Sequence, residues 1–214
     1  MALRDNCKIT AGILKSGVKS LDEYVDLVAG DASVRYTPEY WFTANIFRGI
    51  RKNTHYIPIL ENSVAELREF SAEVQSGKVP HNLRLDGKTD IGIWTKSWDP
   101  VGIVEVKRGW TWDGRKFNPD LERITSALKN FGKKGNKSGS LRSGFFVIVL
   151  DKWASSRSEC TDYFDLNYSS FLSNIRDTLN SHTGGPYKLL GDYEFTRYDK
   201  KFKKMGSIFV FKIS

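Results

Sequence analysis

Two carboxylates and a lysine lie at a spacing in the sequence that suits metal chemistry. Asp90 belongs to a predicted strand over Thr89–Trp94. Glu105 and Lys107 belong to a second predicted strand, Val101–Lys107. Because strand side chains alternate between the two faces of a sheet, Glu105 and Lys107 project from the same face. A hairpin centred midway along the connecting turn places Asp90 opposite Glu105, with Cβ atoms about 4.5–5.5 Å apart.

Such a pair of carboxylates needs a cation. Two carboxylates at that distance repel each other strongly unless positive charge lies between them. A hard divalent cation such as Mg²⁺, with Mn²⁺ as a substitute, prefers oxygen ligands and meets this need. Lys107, one pleat further along, is placed to hold a water or a phosphate beside the metal.

An Asp, a turn and then a buried Glu-x-Lys strand resembles the PD-(D/E)xK nuclease superfamily, which has the restriction-endonuclease-like fold. The matching residues are Asp90, Glu105 and Lys107. The resemblance implies that Asp90 and Glu105 bind Mg²⁺, assisted by the carbonyl of Val106, and that Lys107 helps to orient or activate the attacking water. Thr89 stands where the superfamily often has Pro, a residue that is commonly replaced there.

A helix before these strands is expected to supply a third carboxylate. Thr37 and Pro38 predict a helix that extends roughly to Arg51, with Thr37 as its N-cap. In the resembled superfamily such a helix often carries a Glu toward the metal, which makes Glu39 a candidate catalytic residue and metal ligand. The alternative is that Glu39 only complements the helix dipole in the first turn.

Other carboxylates compete for these two roles. If the first core helix is instead the one predicted over Ser63–Gln75, Glu39 is replaced by one of the three carboxylates of that helix, Glu66, Glu69 and Glu73. Asp86 competes with Asp90 as the metal ligand. We prefer Asp90, because Asp86 precedes a glycine in a turn signal whereas Asp90 opens an apolar strand.

The charge balance indicates a polyanionic partner. The net charge is +8, and basic residues cluster in Lys129–Arg142 and in Arg197–Lys204, which suits binding to phosphates. A further helix is predicted over Asn118–Phe131, and its Arg123 either faces the substrate or only pairs with Asp120 at i, i+3. The expected nucleic-acid contacts are Arg123, Lys129, Lys133, Lys134, Lys137, Lys200 and Lys201.

The order of predicted elements indicates an α/β (α+β) fold with a central mixed sheet flanked by helices. It agrees with the α-β-β-β-α-β core of the resembled superfamily, with extra N-terminal helices and C-terminal strands. The near-continuous apolar run Gly144–Leu150 predicts a strand buried on both faces. We expect a single domain over 1–214, in which 1–35 is a helical extension, 36–150 the catalytic core, and 151–214 a helix and hairpin that complete the fold.

The remaining predicted elements have simple local signals. Ser20 and Glu23 form a capping box at the start of a short helix, and Ser63 and Glu66 form another. These further elements are a helix over Ser20–Ala29, strands over His55–Leu60 and Asn82–Leu85, a helix over Tyr168–Ser181, and strands over Tyr193–Tyr198 and Ser207–Ile213.

Composition excludes several classes of protein. No run of 18 apolar residues exists, so no transmembrane helix and no membrane partner is expected. Cys7 and Cys160 show no C-x-x-C spacing and favour free thiols in a reducing compartment, the cytoplasm. The three histidines have no metal-ligand spacing, which argues against zinc.

The sequence therefore predicts a Mg²⁺-dependent endo- or exonuclease that hydrolyses phosphodiester bonds, with DNA favoured as the nucleic acid. Its mechanism assigns Lys107 an electrostatic and orienting role rather than that of general base. One alternative is a module of the same fold that binds nucleic acid or a protein partner without turnover. Another is an unrelated α/β protein in which Asp90, Glu105 and Lys107 form structural ion pairs. A homodimer is compatible with each of these.

Overall fold

The computed structural model describes residues 2–27, 37–70, 87–109, 114–132, 139–183 and 187–214, with side chains from residue 7 in the first range and up to residue 181 in the fifth. The strands in these ranges are β1 (Ile57–Ser63), β2 (Lys88–Trp94), β3 (Pro100–Arg108), β4 (Ser143–Trp153), β5 (Leu189–Phe195) and β6 (Lys204–Ile213). The helices are α1 (Ala2–Leu27), α2 (Glu39–Asn53), α3 (Val64–Phe70), α4 (Gly114–Phe131) and α5 (Arg157–Thr183).

The strands form one mixed sheet in the order β1-β2-β3-β4-β6-β5. Only β3 and β4 pair in parallel among these neighbours; the other four pairings are antiparallel. Parallel neighbours need a crossover connection, and α4 provides it between β3 and β4. The predicted fold class, a mixed sheet flanked by helices, is confirmed at this level.

Helices cover both faces of the sheet, and each face has its own apolar core. Residues of α1 and α2 pack on one face and residues of α4 and α5 on the other. Alternate residues of β4 contribute to the two cores: Val147 to the α1–α2 side and Ile148 to the α4–α5 side. The prediction that this strand is buried on both faces is therefore confirmed.

The β2–β3 hairpin has the predicted register. Ile91 pairs with Val104 and Gly92 with Ile103. In both pairs the residue numbers sum to 195, and the same register, continued by one residue, places Asp90 opposite Glu105. Because Ile91 and Val104 belong to the α1–α2 core, the side chains of Asp90 and Glu105 project toward the α4–α5 side.

Two predicted helix caps are wrong. Ser20 lies inside α1, where its hydroxyl donates to the carbonyl of Gly17 at 2.7 Å. The apolar stripe of α1 already begins at Ile9, so the helix continues through the expected cap. At α2 the N-cap is Pro38 and no side chain caps the helix. The hydroxyl of Thr37 is buried, with no hydrogen-bond partner among the described residues.

Several element boundaries also differ from the predictions. α4 begins at Gly114 rather than near Asn118, since Phe117 is buried against Phe146 and Phe171 and holds the first turn in place. The cap at Ser63 is confirmed by its Oγ, which accepts from the backbone N–H of Ala65. The other elements with shifted starts are α5 at Arg157, β5 at Leu189 and β6 at Lys204. The predicted strand Asn82–Leu85, together with Asp86 and Glu73, lies outside the described residues.

Two predicted general properties concern membranes and cysteines. Across the described ranges, none of the helices is long and apolar enough to cross a membrane. Cys7 is exposed, Cys160 is buried, and both are free thiols.

Gly144 lets α4 lie close to β4. A Cβ atom on Gly144 would come within 2.1 Å of Cγ2 of Ile124 on α4. We expect Gly144→Ala to lower the free energy of unfolding by about 1–3 kcal/mol, because the added methyl forces Ile124 away from the sheet. Urea denaturation measures this loss. Gly102→Ala is the matched control, since its Cβ would lie 3.3 Å from its nearest neighbour, Cδ1 of Ile93. Equal losses in the two variants would contradict the close contact.

Candidate active site

A cluster of charged side chains lies at the end of the sheet where β2 begins and β3 ends. β2 and β3 supply three of them, α2 supplies one from its first turn, and α4 supplies two from its middle. The six residues are Glu39, Asp90, Glu105, Lys107, Asp120 and Arg123. Five of these six residues were expected at the site from the sequence. The sixth, Asp120, was not.

Asp90 fastens the start of β2 to β3. Its Oδ2 accepts a hydrogen bond from the backbone N–H of Val106 at 2.7 Å. Burial raises the pKa of Asp90, whereas this hydrogen bond and the nearby Lys107 ammonium oppose the rise. Val106, expected to offer its carbonyl to a metal, thus holds the neighbouring carboxylate through its N–H group.

Glu105 is the most deeply buried of the carboxylates, with 1% of its surface exposed. Its Oε1 accepts a hydrogen bond from a terminal nitrogen of Arg123 at 2.8 Å. Burial raises the pKa of Glu105 to about 8, and the negative charge of Asp90 acts in the same direction, against the guanidinium of Arg123. One positive partner therefore does not fully compensate this carboxylate.

Lys107 lies between carboxylates from two helices. Its Nζ is 3.1 Å from Oε1 of Glu39 on α2 and 3.3 Å from Oδ2 of Asp120 on α4. Burial alone would lower the pKa of Lys107, but the charges of Asp120, Glu39, Asp90 and Glu105 outweigh burial and raise it. The side chain therefore stays an ammonium ion, which suits the predicted electrostatic role and not that of a general base.

Glu39 uses both carboxylate oxygens to join α2 to the end of β3. Oε1 contacts Lys107, and Oε2 accepts a hydrogen bond from the backbone N–H of Arg108 at 3.3 Å. The guanidinium of Arg108 in turn donates to the carbonyl of Thr37 at 2.6 Å. Glu39 thus lies in the first turn of α2 and also reaches the site, where its contacts are with Lys107 and Arg108.

Arg123 pairs with Asp120, as one of the two alternatives expected, and it also contacts Glu105, which the sequence did not predict. Its guanidinium is 3.0 Å from Oδ1 of Asp120, at i, i+3, and 2.8 Å from Oε1 of Glu105. Asp120, only 7% exposed, was not predicted as a site residue. Helical periodicity was the available signal, because Asp120 lies three residues after the buried Phe117 and four before the buried Ile124.

The carboxylate oxygens of the cluster are of the kind that a hard cation prefers. The charged side chains of the cluster also form ion pairs with one another. The contacts described above engage one oxygen of Asp90 and one of Glu105, but both oxygens of Glu39 and of Asp120. Four carboxylates face two side-chain cations. Among the described residues, no three Asp, Glu, His or Cys side chains form a group that could hold a metal ion.

The basic residues expected to contact nucleic acid lie at both ends of the sheet. Lys129 is exposed in the last turn of α4. Nearby, the backbone N–H of Arg142 donates to the carbonyl of Val101 at the start of β3, the end opposite the site. Lys200 and Lys201 are exposed in the connection between β5 and β6. This connection adjoins the last residues of β4, which lie at the same end of the sheet as the site.

One residue of the predicted basic cluster is not on the surface. Lys204 is buried and its Nζ lies 2.9 Å from Oδ2 of Asp151, so it does not belong to an exposed phosphate-binding group. Three further predicted contacts, Lys133, Lys134 and Lys137, lie outside the described residues.

Comparison of the chain with family models, with curated proteins and with solved structures finds no match. A proposal of function therefore rests on the geometry of the six charged side chains alone.

The raised pKa of Glu105 makes stability depend on pH. The folded-state pKa of about 8 lies above the usual value of 4.5 for a glutamate, so the stability that Glu105 contributes is fully present below about pH 4.5 and is lost between about pH 4.5 and pH 8. Glu105→Gln removes this titration. We therefore compare the free energy of unfolding of wild type with that of Glu105→Gln. We expect the difference, wild type minus variant, to fall by at most about 5 kcal/mol across this pH interval.

Urea denaturation of both proteins in the presence of EDTA measures this difference at a series of pH values. Glu61→Gln is the control, because Glu61 is exposed and its partner Lys88 lies on the surface. A constant difference between wild type and Glu105→Gln across the pH series would contradict the raised pKa.

Proposed function

We propose that the protein is a Mg²⁺-dependent nuclease of the PD-(D/E)xK type that hydrolyses phosphodiester bonds, with DNA as the favoured substrate. The observation that carries this proposal is the arrangement of Asp90, Glu105 and Lys107. Two carboxylates occupy opposed positions of one hairpin, on one face, and the lysine follows one pleat further along. That face also receives the charged residues of α4.

The order and pairing of the elements support a restriction-endonuclease-like core. The succession α2, β1, β2, β3, α4 and β4, apart from the short α3, has the α-β-β-β-α-β order. The parallel pairing of β3 with β4 across α4 agrees with the same arrangement. In this proposal α1, α5, β5 and β6 are additions to that core.

Asp90 and Glu105 are the residues that would hold the metal. Both are carboxylates, both keep an oxygen that the contacts above do not use, and burial raises the pKa of each. Their negative charge is thus incompletely compensated, a condition that a divalent cation relieves. When bound, Mg²⁺ would supply Lewis acidity toward water and the scissile phosphate.

Lys107 is proposed to stabilise negative charge on the phosphate and to orient the attacking water. Its raised pKa keeps it protonated, and a fixed ammonium in a buried site stabilises developing charge more strongly than it would in water. Glu39 and Asp120 hold this ammonium from two sides. We therefore assign Glu39 and Asp120 to the positioning of Lys107. Glu39 would act as a metal ligand only if its Oε1 left Lys107.

Arg123 is proposed to exchange partners. Without a metal it pairs with Glu105. If Glu105 held a metal ion, the guanidinium would keep its contact with Asp120 and would be available to a phosphate oxygen, a group that arginine recognises well. The exposed Lys200 and Lys201, at the same end of the sheet, extend the positive surface toward a polyanion.

A second candidate is a module of this fold that binds nucleic acid without turnover. The observation that favours it is the mutual pairing inside the cluster. Lys107 and Arg123 each contact two carboxylates, so the site has a connected ion-pair network even without a metal. Cleavage assays and metal binding distinguish this candidate from a nuclease.

Metal-dependent DNA cleavage tests the proposal directly. We expect wild type to cleave plasmid or single-stranded DNA with Mg²⁺ or Mn²⁺ and to be inactive with EDTA. Glu105→Gln should abolish detectable cleavage, and Lys107→Ala should lower its rate by about 10²–10³-fold, because a preorganised charge at the phosphate is lost. The rate of conversion of labelled DNA measures both effects.

The matched controls are Glu61→Gln and Lys88→Ala. These two residues form an exposed ion pair at 2.8 Å, each with 59% of its side chain exposed, and have the same residue types as the site pair. Thermal unfolding verifies that every variant is folded. Cleavage that survives both site substitutions would rule out the catalytic assignment, and DNA binding without cleavage would favour the module.

Metal affinity should rise with pH. Glu105 must lose its proton to act as a ligand, and its pKa is about 8, so below that pH Mn²⁺ competes with a proton. We expect the Mn²⁺ association constant to increase by up to about tenfold per pH unit between about pH 6 and pH 8. Isothermal titration calorimetry measures it, and Glu105→Gln should show little binding at any pH. An affinity that does not change over this interval would contradict Glu105 as a ligand.

A further inference from the structure

Trp153 is an exposed tryptophan at the same end of the sheet as the charged cluster. It is the last residue of β4 and 48% of its surface is exposed. Lys107 pairs with Ile148 across β3 and β4. Because Val147 and Ile148 face opposite sides of the sheet, the side chain of Trp153 belongs to the α1–α2 face, so the path from Lys107 to Trp153 runs over this end of the sheet. Trp153 lies five residues beyond Ile148, about 17 Å further along the strand. A few nucleotides of an extended strand cover that distance.

Neighbouring residues fix the backbone at Trp153 and support one face of its ring. Trp153 pairs with Lys204 of β6, and the N–H of Ala154 donates to the carbonyl of Lys203 at 2.9 Å. The Nζ atom of Lys204 lies 5.2 Å from the centre of the Trp153 ring and is also paired with Asp151. The ring is thus supported by a buried ammonium whose charge is already compensated.

The β5–β6 connection next to Trp153 is rich in basic side chains, although Arg197 and Lys200 share a cavity with Asp22 and Asp26 of α1. The connection between β5 and β6, which adjoins Trp153 through Lys203 and Lys204, exposes four basic side chains: Arg197, Lys200, Lys201 and Lys203. Asp199, the acidic residue of this segment, turns its carboxylate to the backbone N–H groups of Lys201 and Phe202. An aromatic ring beside a row of cations suits a ligand that carries both phosphates and flat bases.

We propose that Trp153 is a stacking platform for an unpaired base, so that the site takes a single-stranded segment of nucleic acid. This inference rests on the proposed function, because it names the class of substrate that leads into the site. In a duplex the base faces are covered by their neighbours, whereas a single strand offers them to an aromatic side chain. The cations of the β5–β6 connection contact the phosphates of the same strand.

The test is binding of a fluorescein-labelled oligodeoxythymidine and of a labelled duplex, followed by anisotropy in EDTA so that no cleavage occurs. We expect Trp153→Ala to weaken single-strand binding roughly tenfold or more and duplex binding far less. Trp153→Phe should retain most of the affinity, since it keeps a ring. Trp98→Ala is the matched control: Trp98 is 51% exposed but lies in the β2–β3 turn, at the opposite end of the sheet.

Three results would overturn the inference: unchanged single-strand affinity in Trp153→Ala, equal losses for single strand and duplex, or a loss in Trp153→Phe as large as that in Trp153→Ala. The first of these would mean that the ring contacts something other than nucleic acid. Because binding is measured without metal, a wild-type protein that binds single strands through Trp153 but cleaves no DNA would refute the nuclease function and uphold the platform.

Discussion

The ammonium of Lys107, held between Glu39 and Asp120, is the interaction on which the charged end of the sheet depends. It joins α2, β3 and α4 at one point. Buried carboxylates are stable only when they are paired and hydrogen-bonded, and here the buried Glu105 and Asp120 and the partly buried Glu39 and Asp90 share the charges of Lys107 and Arg123. Removing one member of such a network leaves an uncompensated charge, which destabilises far more than the pair itself stabilises. Lys107 therefore links the charged ends of α2, β3 and α4, and its positive charge limits the rise in the pKa of Asp90 that burial causes.

The incomplete compensation is also what gives the cluster a proposed chemistry. A protein that needed only a stable sheet end would gain from replacing Asp90 and Glu105 with apolar residues, because burial penalises both charges. Retaining opposed carboxylates at that cost is understandable if a divalent cation occupies the site during function. The same balance explains why a proton, the guanidinium of Arg123 and a metal ion would compete for Glu105.

The parts of this structure that follow local periodicity were predictable from the sequence. The hairpin register that opposes Asp90 and Glu105 followed from alternation along two strands, and the central strand β4 from its apolar run. Asp120 was missed because its polarity masked its place on the buried stripe of α4. Ser20 resembled an N-cap because a local capping signal does not show that tertiary packing stabilises further helical turns before it. The pairing of Lys204 with Asp151 depends on the contact between β4 and β6, which a linear pattern of charges does not contain.

The most direct test of the metal site is a crystal of the protein soaked in Mn²⁺ above pH 8, examined by anomalous scattering. The account predicts a peak bound by carboxylate oxygens of Asp90 and Glu105, with Arg123 moved away from Oε1 of Glu105 and Lys107 still held by Asp120. A crystal that takes up no Mn²⁺ at this position, with the Glu105–Arg123 ion pair unchanged, would contradict it.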